Sequence, residues 1–332
     1  MQMQMQIGKL KTGDLKNLIL KNIKNNREEV ISNPEIGGDC AIIACGEDKL
    51  IYLSSDPITG ATNSLGKLAI HINANDIATS GTEPLGVMLT ILAPENTKKW
   101  ELENIILEAQ AECDRMNMSI LGGHTEITGA VNRIIVSVTA IGIGERKDIE
   151  GRGKAKAGDL LLITKGIGIE GTGIIASEKE KELLFHFGKD FVEEAKSFLD
   201  RTSVVKEGKL LGKFAKGMHD VTEGGILGAV WEMGELFNLG VELDIKDEMI
   251  SEFTKKICKF YEIDSLKLIS SGTMLICIEK SQKEQIAELL QKYCIEFYFI
   301  GEFTENKERK YKFNGEIKDM EEPESDELYR VI

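Results

Sequence analysis

Apolar runs and helical periods alternate along the first half of the chain. The apolar run Lys49–Ser55 predicts a buried strand that ends at Asp56-Pro57, because proline cannot continue a strand ladder. Gly66–Ser80 is predicted to be a helix and Leu85–Leu92 a second strand. The clearest helical period lies in Trp100–Asn117, where apolar residues recur on one face. The first half therefore mixes strands with helices.

Two more strands and a charged connection complete this half. Met118–Leu121 is predicted as a short strand that ends at Gly122-Gly123, and Arg133–Ile143 as a long one. Residues 144–158 then combine glycines with charged residues, a composition typical of a connection between domains. We therefore expect a boundary near residue 150 and two domains, residues 1–150 and 151–332.

The second half repeats the mixture of strands and helices. Strands are predicted at Asp159–Thr164, Gly217–Val221, Thr273–Glu279 and Ile295–Phe303. Helices are predicted at Phe191–Leu199, Val204–Ala215, Gly225–Phe237 and Gln282–Tyr293. The tail after Thr304 is rich in Glu and Lys and is expected on the surface.

Composition narrows the class of protein. The 332 residues carry a net charge of −14 with 42% hydrophobic residues, which fits a globular protein and argues against a general nucleic-acid binder. No apolar run approaches the ~18–20 residues of a membrane-spanning helix. The Met1–Gln6 segment lacks the apolar core of a signal peptide, and the six cysteines show no C-x-x-C pair. We expect a cytoplasmic protein with reduced thiols and no membrane or nucleic-acid partner.

Acidic residues stand at strand ends and inside an apolar helix. Asp39 and Asp56 lie at turns, and Asn73 and Asp76 share a helix face at i,i+3 spacing beside apolar neighbours. Carboxylates that converge on one point can bind Mg²⁺, which prefers oxygen ligands. Taken one at a time, the same residues could be turn formers and helix caps.

Glycine-rich segments offer candidate anion sites. Gly122-Gly123 is followed by His124, Thr125 and Glu126, which predicts either a backbone nest for an anion or a tight turn with an exposed histidine. In the segment 218–225, polar residues and two glycines precede a helix. The N-terminus of this helix could bind an anion, or Thr222 or Glu223 could simply cap it.

Two nucleotide-binding motifs are excluded. Gly166, Gly168 and Gly171 satisfy G-x-G-x-x-G, but the strand and acidic residue that a Rossmann unit requires downstream are missing. No segment matches the P-loop motif.

As a set, the motifs resemble a known superfamily. Ser-Ser-Asp-Pro-Ile-Thr at 54–59, Asn-Ala-Asn-Asp-Ile-Ala at 73–78, Gly-Gly-His-Thr-Glu at 122–126, His-Asp-Val-Thr-Glu-Gly-Gly at 219–225 and Ser-Ser-Gly-Thr at 270–273 occur in that order. They resemble the aminoimidazole ribonucleotide synthetase (PurM-like) superfamily, and most of all its HypE-like branch. The resemblance implies a two-domain α+β fold, a homodimer formed through the N-terminal halves, and ATP and Mg²⁺ bound in a cleft near that interface.

The resemblance also assigns roles to individual residues. The metal would be bound by Asp39, Asp56, Asp76 and Glu126, and the catalytic residues would be His124 and Asp220. ATP would be contacted by Lys9, Ser55, Asn73, Gly122, Gly123, Thr125, Lys165, Thr222 and Gly224. Lys9 and Lys165 are the candidate positive charges for the phosphates.

Two departures from the HypE-like pattern shape the expected function. That branch ends in Pro-Arg-Ile-Cys, whose cysteine carries a carbamoyl group, whereas this sequence ends Tyr329-Arg330-Val331-Ile332. Relatives commonly show Gly-Asp-Asp where this chain has Gly38-Asp39-Cys40, so one metal ligand could be missing.

We therefore expect an ATP-dependent enzyme that activates an oxygen of an unidentified small substrate by phosphoryl transfer, without carbamoyl-thiol dehydration. Two alternatives remain open. One is a non-catalytic ATP-binding scaffold or maturation protein with a protein partner, and the other is a kinase or synthetase of a phosphorylated heterocycle.

Overall fold

The computed structural model describes residues 8–24, 26–59, 61, 63–150, 152–323 and 325–332. The Met1–Gln6 segment, and with it the expectation about a signal peptide, lies outside these residues. Within the described ranges the chain forms two mixed sheets, one in each half, with helices packed against them.

The first half is built on a five-stranded sheet in the part of the chain described. Its strands are β1 (Ala41–Cys45), β2 (Lys49–Ile58), β3 (Pro84–Ala93), β4 (Ser119–Ile127) and β5 (Ile135–Glu145). Their order is β1-β2-β5-β3-β4, and β3 and β4 form the parallel pair. The helices of this half are α1 (Thr12–Asp14), α2 (Leu65–Thr79), α3 (Lys99–Met116) and α4 (Arg146–Glu150).

The second half is built on a seven-stranded sheet, again counted over the described residues. Its strands are β6 (Leu160–Thr164), β7 (Ala215–Asp220), β8 (Gly240–Asp244), β9 (Met274–Ile278), β10 (Phe297–Thr304), β11 (Arg309–Phe313) and β12 (Glu316–Asp319). The order is β12-β11-β8-β10-β6-β9-β7. The helices are α5 (Ile169–Glu178), α6 (Glu180–Phe187), α7 (Lys189–Ser197), α8 (Val205–Leu211), α9 (Gly225–Phe237), α10 (Glu252–Tyr261) and α11 (Lys283–Lys292).

No helix among the residues described is both long enough and apolar enough to cross a membrane.

Helix α2 joins the two halves. It packs on β2, β5 and α3 of its own half and on α8 and β7 of the other half. A Cβ atom added to Gly208 of α8 would lie 2.2 Å from the carbonyl oxygen of Ala78, so the two helix backbones touch. Asn75 donates to the carbonyl of Thr202 at 2.8 Å and accepts from the N–H of Val204 at 2.7 Å. These contacts fix α8 and the preceding turn against α2.

Most of the predicted elements are confirmed within one to three residues at their ends, and α9 has the predicted bounds. The predicted end of the strand at Pro57 is wrong, because β2 continues to Ile58. Strand β1 pairs with β2 only as far as Leu53, so Pro57 lies where that side of β2 has no strand neighbour and a proline is tolerated.

One other predicted boundary is wrong, because the strand expected to end at Gly122-Gly123 continues through both glycines to Ile127. The tail after Thr304, expected on the surface, forms β11, β12 and a final 3-10 turn. Strand β12 is exposed throughout, whereas Leu328 in the final turn is only 1% exposed, so the expectation is confirmed for part of the tail only.

The two glycines of β4 provide a matched test of backbone packing. Both have a φ angle near +150°, but a Cβ atom on Gly123 would lie 1.8 Å from the carbonyl oxygen of Leu89, whereas one on Gly122 would meet nothing within 4 Å. We expect Gly122→Ala to cost about 1–2 kcal/mol of unfolding free energy through backbone strain, and Gly123→Ala a further 1–3 kcal/mol or so through the clash with β3. Urea denaturation of both variants measures this, and equal losses would contradict the β3–β4 register.

Candidate functional site

Four aspartates from both halves of the chain meet beside α2. Asp39 precedes β1, Asp56 lies near the end of β2, Asp76 lies in α2, and Asp220 ends β7. Burial raises the pKa of Asp76 well above its usual value, and the charges of the other three carboxylates raise it further. Burial and the charge of Asp39 likewise raise the pKa of Asp220 to about 7, although His219 and Lys9 oppose this. We call these four residues the aspartate cluster.

Residues Ser54 and Asp56 of β2 contact the polar side chains of α2. Ser54 donates a hydrogen bond from its hydroxyl to Asp76 Oδ2, and the backbone N–H of Asp56 donates to Asn73 Oδ1 at 2.9 Å. The prediction that Asn73 and Asp76 share one helix face is therefore confirmed. Ser55, predicted to contact ATP, lies between Ser54 and Asp56 in β2. Its hydroxyl lies 3.0 Å from that of Thr139 on β5.

Cys40 follows Asp39 at the position where the resemblance implied a second carboxylate. Its Sγ donates to the backbone carbonyl of Asp76 at 3.0 Å. Burial, followed by the charges of Asp76 and Asp39, raises the pKa of the Cys40 thiol well above its usual value. The side chain is therefore held as a neutral thiol and is not suited to act as a nucleophile.

His219 lies between the aspartate cluster and an acidic residue of α9. Its Nδ1 atom lies 2.9 Å from Asp39 Oδ1, and its Nε2 atom lies 2.8 Å from Glu232 Oε2. Burial disfavours the charged ring, but these two carboxylates outweigh burial and hold the pKa of His219 well above its usual value. The imidazole thus links α9 to the cluster.

Lys9 reaches the same edge of the cluster from the N-terminal segment. Its backbone N–H donates to Glu223 Oε2 at 2.9 Å, and its ammonium group donates to Thr222 Oγ1 at 3.0 Å. The ammonium nitrogen also lies 3.8 Å from Glu232 Oε1. Although burial opposes it, Lys9 and then His219 lower the pKa of Glu232 to about 2. Lys9 and Thr222, both predicted to contact ATP, therefore lie together.

Five predicted residues lie elsewhere, on the exposed strand β4. They are Gly122, Gly123, His124, Thr125 and Glu126. His124 Nε2 lies 3.5 Å from Glu126 Oε2, and both side chains are more than half exposed. Over the described part of one chain, no hydrogen bond or ion pair connects β4 to the aspartate cluster. The expected convergence of Glu126 with the aspartates is therefore not found within a single chain.

Lys165 is buried and committed to other partners. Its ammonium group donates to the carbonyls of Ser203 at 2.6 Å and Gly272 at 3.0 Å, and lies 2.7 Å from Glu207 Oε1. Because an ammonium group has three donors, these contacts leave none for a phosphate. The geometry thus disagrees with the predicted phosphate contact and gives Lys165 a structural role.

A small cavity of about 60 Å³ opens beside the cluster, next to Pro57. Glu170 lines it, is 2% exposed, and has no hydrogen-bond partner for Oε2 among the residues described. Asp326 also lines it and accepts the backbone N–H groups of Gly224 at 2.7 Å, Leu328 at 2.8 Å and Ile269 at 3.2 Å. The N–H of Gly224, predicted to contact ATP, is therefore taken by a residue of the chain's own tail.

Sequence reasoning missed Ser54, Glu232, Glu223 and the cavity residues Glu170 and Asp326. Ser54 could have been found, because it stands two residues before Asp56 and so shares its face of the strand. Glu232 stands on α9 two turns after the glycine pair, but nothing in the sequence indicates that it faces His219. Asp326 lies in a tail whose composition suggested exposure.

The buried Glu170 generates a prediction about pH. Burial raises the pKa of Glu170 to about 7 from an ordinary value of 4.5, although Ser271 opposes part of the shift. Between these two pH values the folded state holds a proton that the unfolded state has lost, so the contribution of Glu170 to stability falls as pH rises. We expect Glu170→Gln to become more stable relative to the parent by up to about 3 kcal/mol between about pH 4.5 and 8.

Urea denaturation across that pH range measures the difference. Glu103→Gln, at an exposed position on α3, controls for the substitution itself. A difference between Glu170→Gln and the parent that does not change with pH would contradict the prediction.

Two family models match the chain. The N-terminal domain of AIR synthase related protein matches residues 37–144, and the C-terminal domain matches residues 156–313.

A Methanocaldococcus jannaschii protein named for hydrogenase expression and formation is 26% identical over 290 residues, covering 86% of this chain and 84% of that protein. Carbamoyl dehydratase HypE of Escherichia coli is 23% identical over 277 residues, covering 81% and 80%. Thiamine-monophosphate kinase of Pyrococcus horikoshii is 25% identical over 285 residues, covering 83% and 85%.

Solved structures share the fold. A chain of the HypE–HypF complex superposes with a TM-score of 0.73 at 21% identity, covering 93% of this chain and 99% of that one. HypE in complex with ATP superposes with a TM-score of 0.71 at 17% identity, covering 96% of both chains. The order of motifs, the two sheets and these matches agree with one another. The chain therefore belongs to the AIR synthase-related (PurM-like) family, in its HypE-like branch.

Proposed function

We propose that this protein is an ATP- and Mg²⁺-dependent enzyme that transfers a phosphoryl group to an oxygen of a small substrate. The observation that carries the proposal is the aspartate cluster, in which burial and neighbouring carboxylates from both halves raise the pKa values of Asp76 and Asp220. Such a concentration of negative charge favours a bound cation. Two neighbours support the nucleotide: HypE has been solved with ATP, and a relative is named a thiamine-monophosphate kinase.

The residues of the cluster fit Mg²⁺. Asp39 Oδ2 and Asp220 Oδ2 are buried and have no hydrogen-bond partner among the described residues, so each has a lone pair available to an ion. Asp56 and Asp76 add oxygen ligands, which Mg²⁺ prefers. Bound there, Mg²⁺ would neutralise phosphate charge and so allow ATP to approach an acidic site.

The chain's own residues would prepare this site. Ser54 and Asn73 hold Asp76 and the backbone of Asp56 in place through the hydrogen bonds described above. Lys9, held by Thr222, places a positive charge at the edge of the cluster where a phosphate could contact it. Lys165 is left out of the proposal because its donors are already used.

We also propose that two copies of the chain pair through β4. This strand is an edge of its sheet, and it contains no Lys or Pro to discourage pairing. Its apolar residues Leu121 and Ile127 are about half exposed, as is Met88 on neighbouring β3. A second copy would cover this surface. It would also bring His124, Thr125 and Glu126 close to the surface of that second copy, where they could complete a nucleotide site.

A HypE chain of the same fold has been solved in complex with HypF. On that basis we propose a maturation protein as a further partner of this chain. The proposed homodimer and the proposed maturation partner are assemblies of the chain, whereas the aspartate cluster carries the proposed reaction.

Isothermal titration calorimetry with Mg-ATP tests the proposed function. We expect Asp56→Asn and Asp76→Asn each to weaken Mg-ATP binding by about tenfold or more, because each removes a charged metal ligand. Asp48→Asn, at an exposed position in the turn between β1 and β2, is the matched control and should bind as the parent does. Thermal unfolding shows whether each variant is folded, and unchanged affinity in both site variants would contradict the proposal.

Analytical ultracentrifugation tests the proposed homodimer. We expect the parent to sediment as a dimer and Leu121→Lys to shift it toward monomer, since a charge would be buried at the paired edge. Ile317→Lys is the control, because Ile317 is 70% exposed on β12, the edge strand of the other sheet. A monomeric parent, or equal dissociation by both variants, would sink the proposed interface.

A further inference from the structure

The small cavity next to Pro57 lies on the same faces of β2 and α2 as the aspartates. Ile58 and Ile72 both line it. Ile58 stands two residues after Asp56 and therefore shares its face of the strand. Ile72 stands four residues before Asp76, about one helical turn, and therefore shares its face of the helix. A group held in this cavity would be a neighbour of whatever the aspartates bind.

Glu170 of α5 brings an unpartnered carboxyl oxygen to this cavity. The residue is 2% exposed, and its Oε2 atom forms no hydrogen bond with any described residue. Whether the carboxyl group is protonated or ionised, this oxygen lacks a partner. Buried polar atoms without partners are rare in proteins, because each has lost its hydrogen bonds to water. The cavity provides the space in which a partner for Glu170 could bind.

The other two carboxylates that line the cavity are already committed. Asp326 accepts the three backbone N–H groups named above. Glu223 accepts the hydroxyl of Tyr329 at 2.7 Å through Oε1 and the backbone N–H of Lys9 at 2.9 Å through Oε2. None of the described residues that line the cavity is Lys, Arg or His. The cavity is therefore acidic, and Glu170 is its open acceptor.

The size and the walls of the cavity restrict the ligand further. Its volume of about 60 Å³ exceeds the ~10–15 Å³ that one water needs, so it can hold a group of a few non-hydrogen atoms. Seven of the twelve lining residues are apolar, which leaves too few free oxygens for a metal ion that takes about six ligands. An ammonium group on a short carbon chain fits both features, because it donates hydrogen bonds and its methylene groups can contact the isoleucines.

We propose that this cavity binds a protonated amino group of the phosphoryl acceptor, which pairs with Glu170, so that the substrate is a small amine that also carries the reacting oxygen. The inference rests on the proposed function in that it names the substrate class for that reaction. The ammonium group supplies the donor that Glu170 Oε2 lacks. Held there, it anchors one end of the substrate while the oxygen extends along the shared faces of β2 and α2 toward the aspartates.

The test titrates the full-length protein with ethylammonium near pH 8, without ATP or metal, and follows binding by ligand-observed NMR. We expect millimolar affinity, as for other very small ligands. Ethanol has the same number of non-hydrogen atoms without the charge and should bind at least about tenfold more weakly. Glu170→Gln should weaken ethylammonium binding by about tenfold to a hundredfold, because it removes a charge-assisted hydrogen bond.

Glu103→Gln, at an exposed position on α3, is the matched control and should bind ethylammonium as the parent does. Asp76→Asn shows which site the probe occupies. We expect it to keep the parent affinity, and a loss as large as that of Glu170→Gln would place the probe in the aspartate cluster and overturn the inference. No binding of ethylammonium to the parent, equal affinity for ethanol, or unchanged affinity in folded Glu170→Gln would also overturn it.

The parent alone decides the matter if Glu170→Gln does not fold. Burial raises the pKa of Glu170 to about 7, and Glu223, Asp326 and Tyr329 are the other titratable groups that line the cavity. Ethylammonium affinity should therefore rise by about tenfold from pH 6 to pH 8 as Glu170 ionises, and a constant affinity would contradict the pairing. Mg-ATP binding that depends on Asp56 is measured separately and without the amine, so the proposed function and this inference can fail independently.

Discussion

Helix α2 is buried on all sides, and this constraint decides where its polar side chains must find partners. Asn73 and Asp76 are satisfied by β2 of the same half, whereas Asn75 is satisfied by residues 202–204 of the other half. His71 lies 3.0 Å from Glu112 and 2.7 Å from the hydroxyl of Thr202, and so contacts both halves. The polar residues of one helix therefore hold the two sheets in a fixed relation, and that relation places Asp220 beside Asp56 and Asp76.

The aspartate cluster is costly for folding, and that cost is informative. Burial, and after it the charges of neighbouring carboxylates, disfavours ionisation of the two buried members, so the pKa of Asp220 reaches about 7 and that of Asp76 rises as well. His219 and Lys9 offset part of this charge from one side, yet within the described ranges one oxygen each of Asp39 and Asp220 has no hydrogen-bond partner. An arrangement that lowers stability at one point is typical of a functional site, because a bound cation recovers the lost interactions.

Features of the fold and of the candidate site could be predicted from the sequence where they are set by residue spacing within a single helix or strand. The period of α3, the bounds of α9 and the shared face of Asn73 and Asp76 follow from spacing within one element, and each was predicted. The strand through Gly122 and Gly123 was not, because glycine pairs usually mark turns and only the pairing with β3 extends the strand.

Contacts between distant segments were beyond the reach of sequence patterns. Glu232 contacts His219 because of how α9 packs on β7, and Asp326 caps Gly224 across about a hundred residues of chain, as their hydrogen bonds show. Neither pairing leaves a periodic signal. The family resemblance supplied the convergence of Asp39, Asp56, Asp76 and Asp220, but it also grouped residues of β4 with them, which one chain does not do.

That mismatch has a physical interpretation. Strand β4 exposes apolar residues together with His124 and Glu126. The aspartate cluster lies beside α2, where Asp76 and Asp220 are buried and Asp56 is exposed, and it has few positive groups of its own. A nucleotide bound to the aspartates through a metal ion would still need contacts for its remaining phosphate groups. Backbone N–H groups beside glycines are suited to contact phosphates. Pairing through β4 would cover an exposed sheet edge and add such groups in the same step. The glycine motif and the aspartates would then belong to one site only in the assembled protein, which accounts for their separation in the single chain.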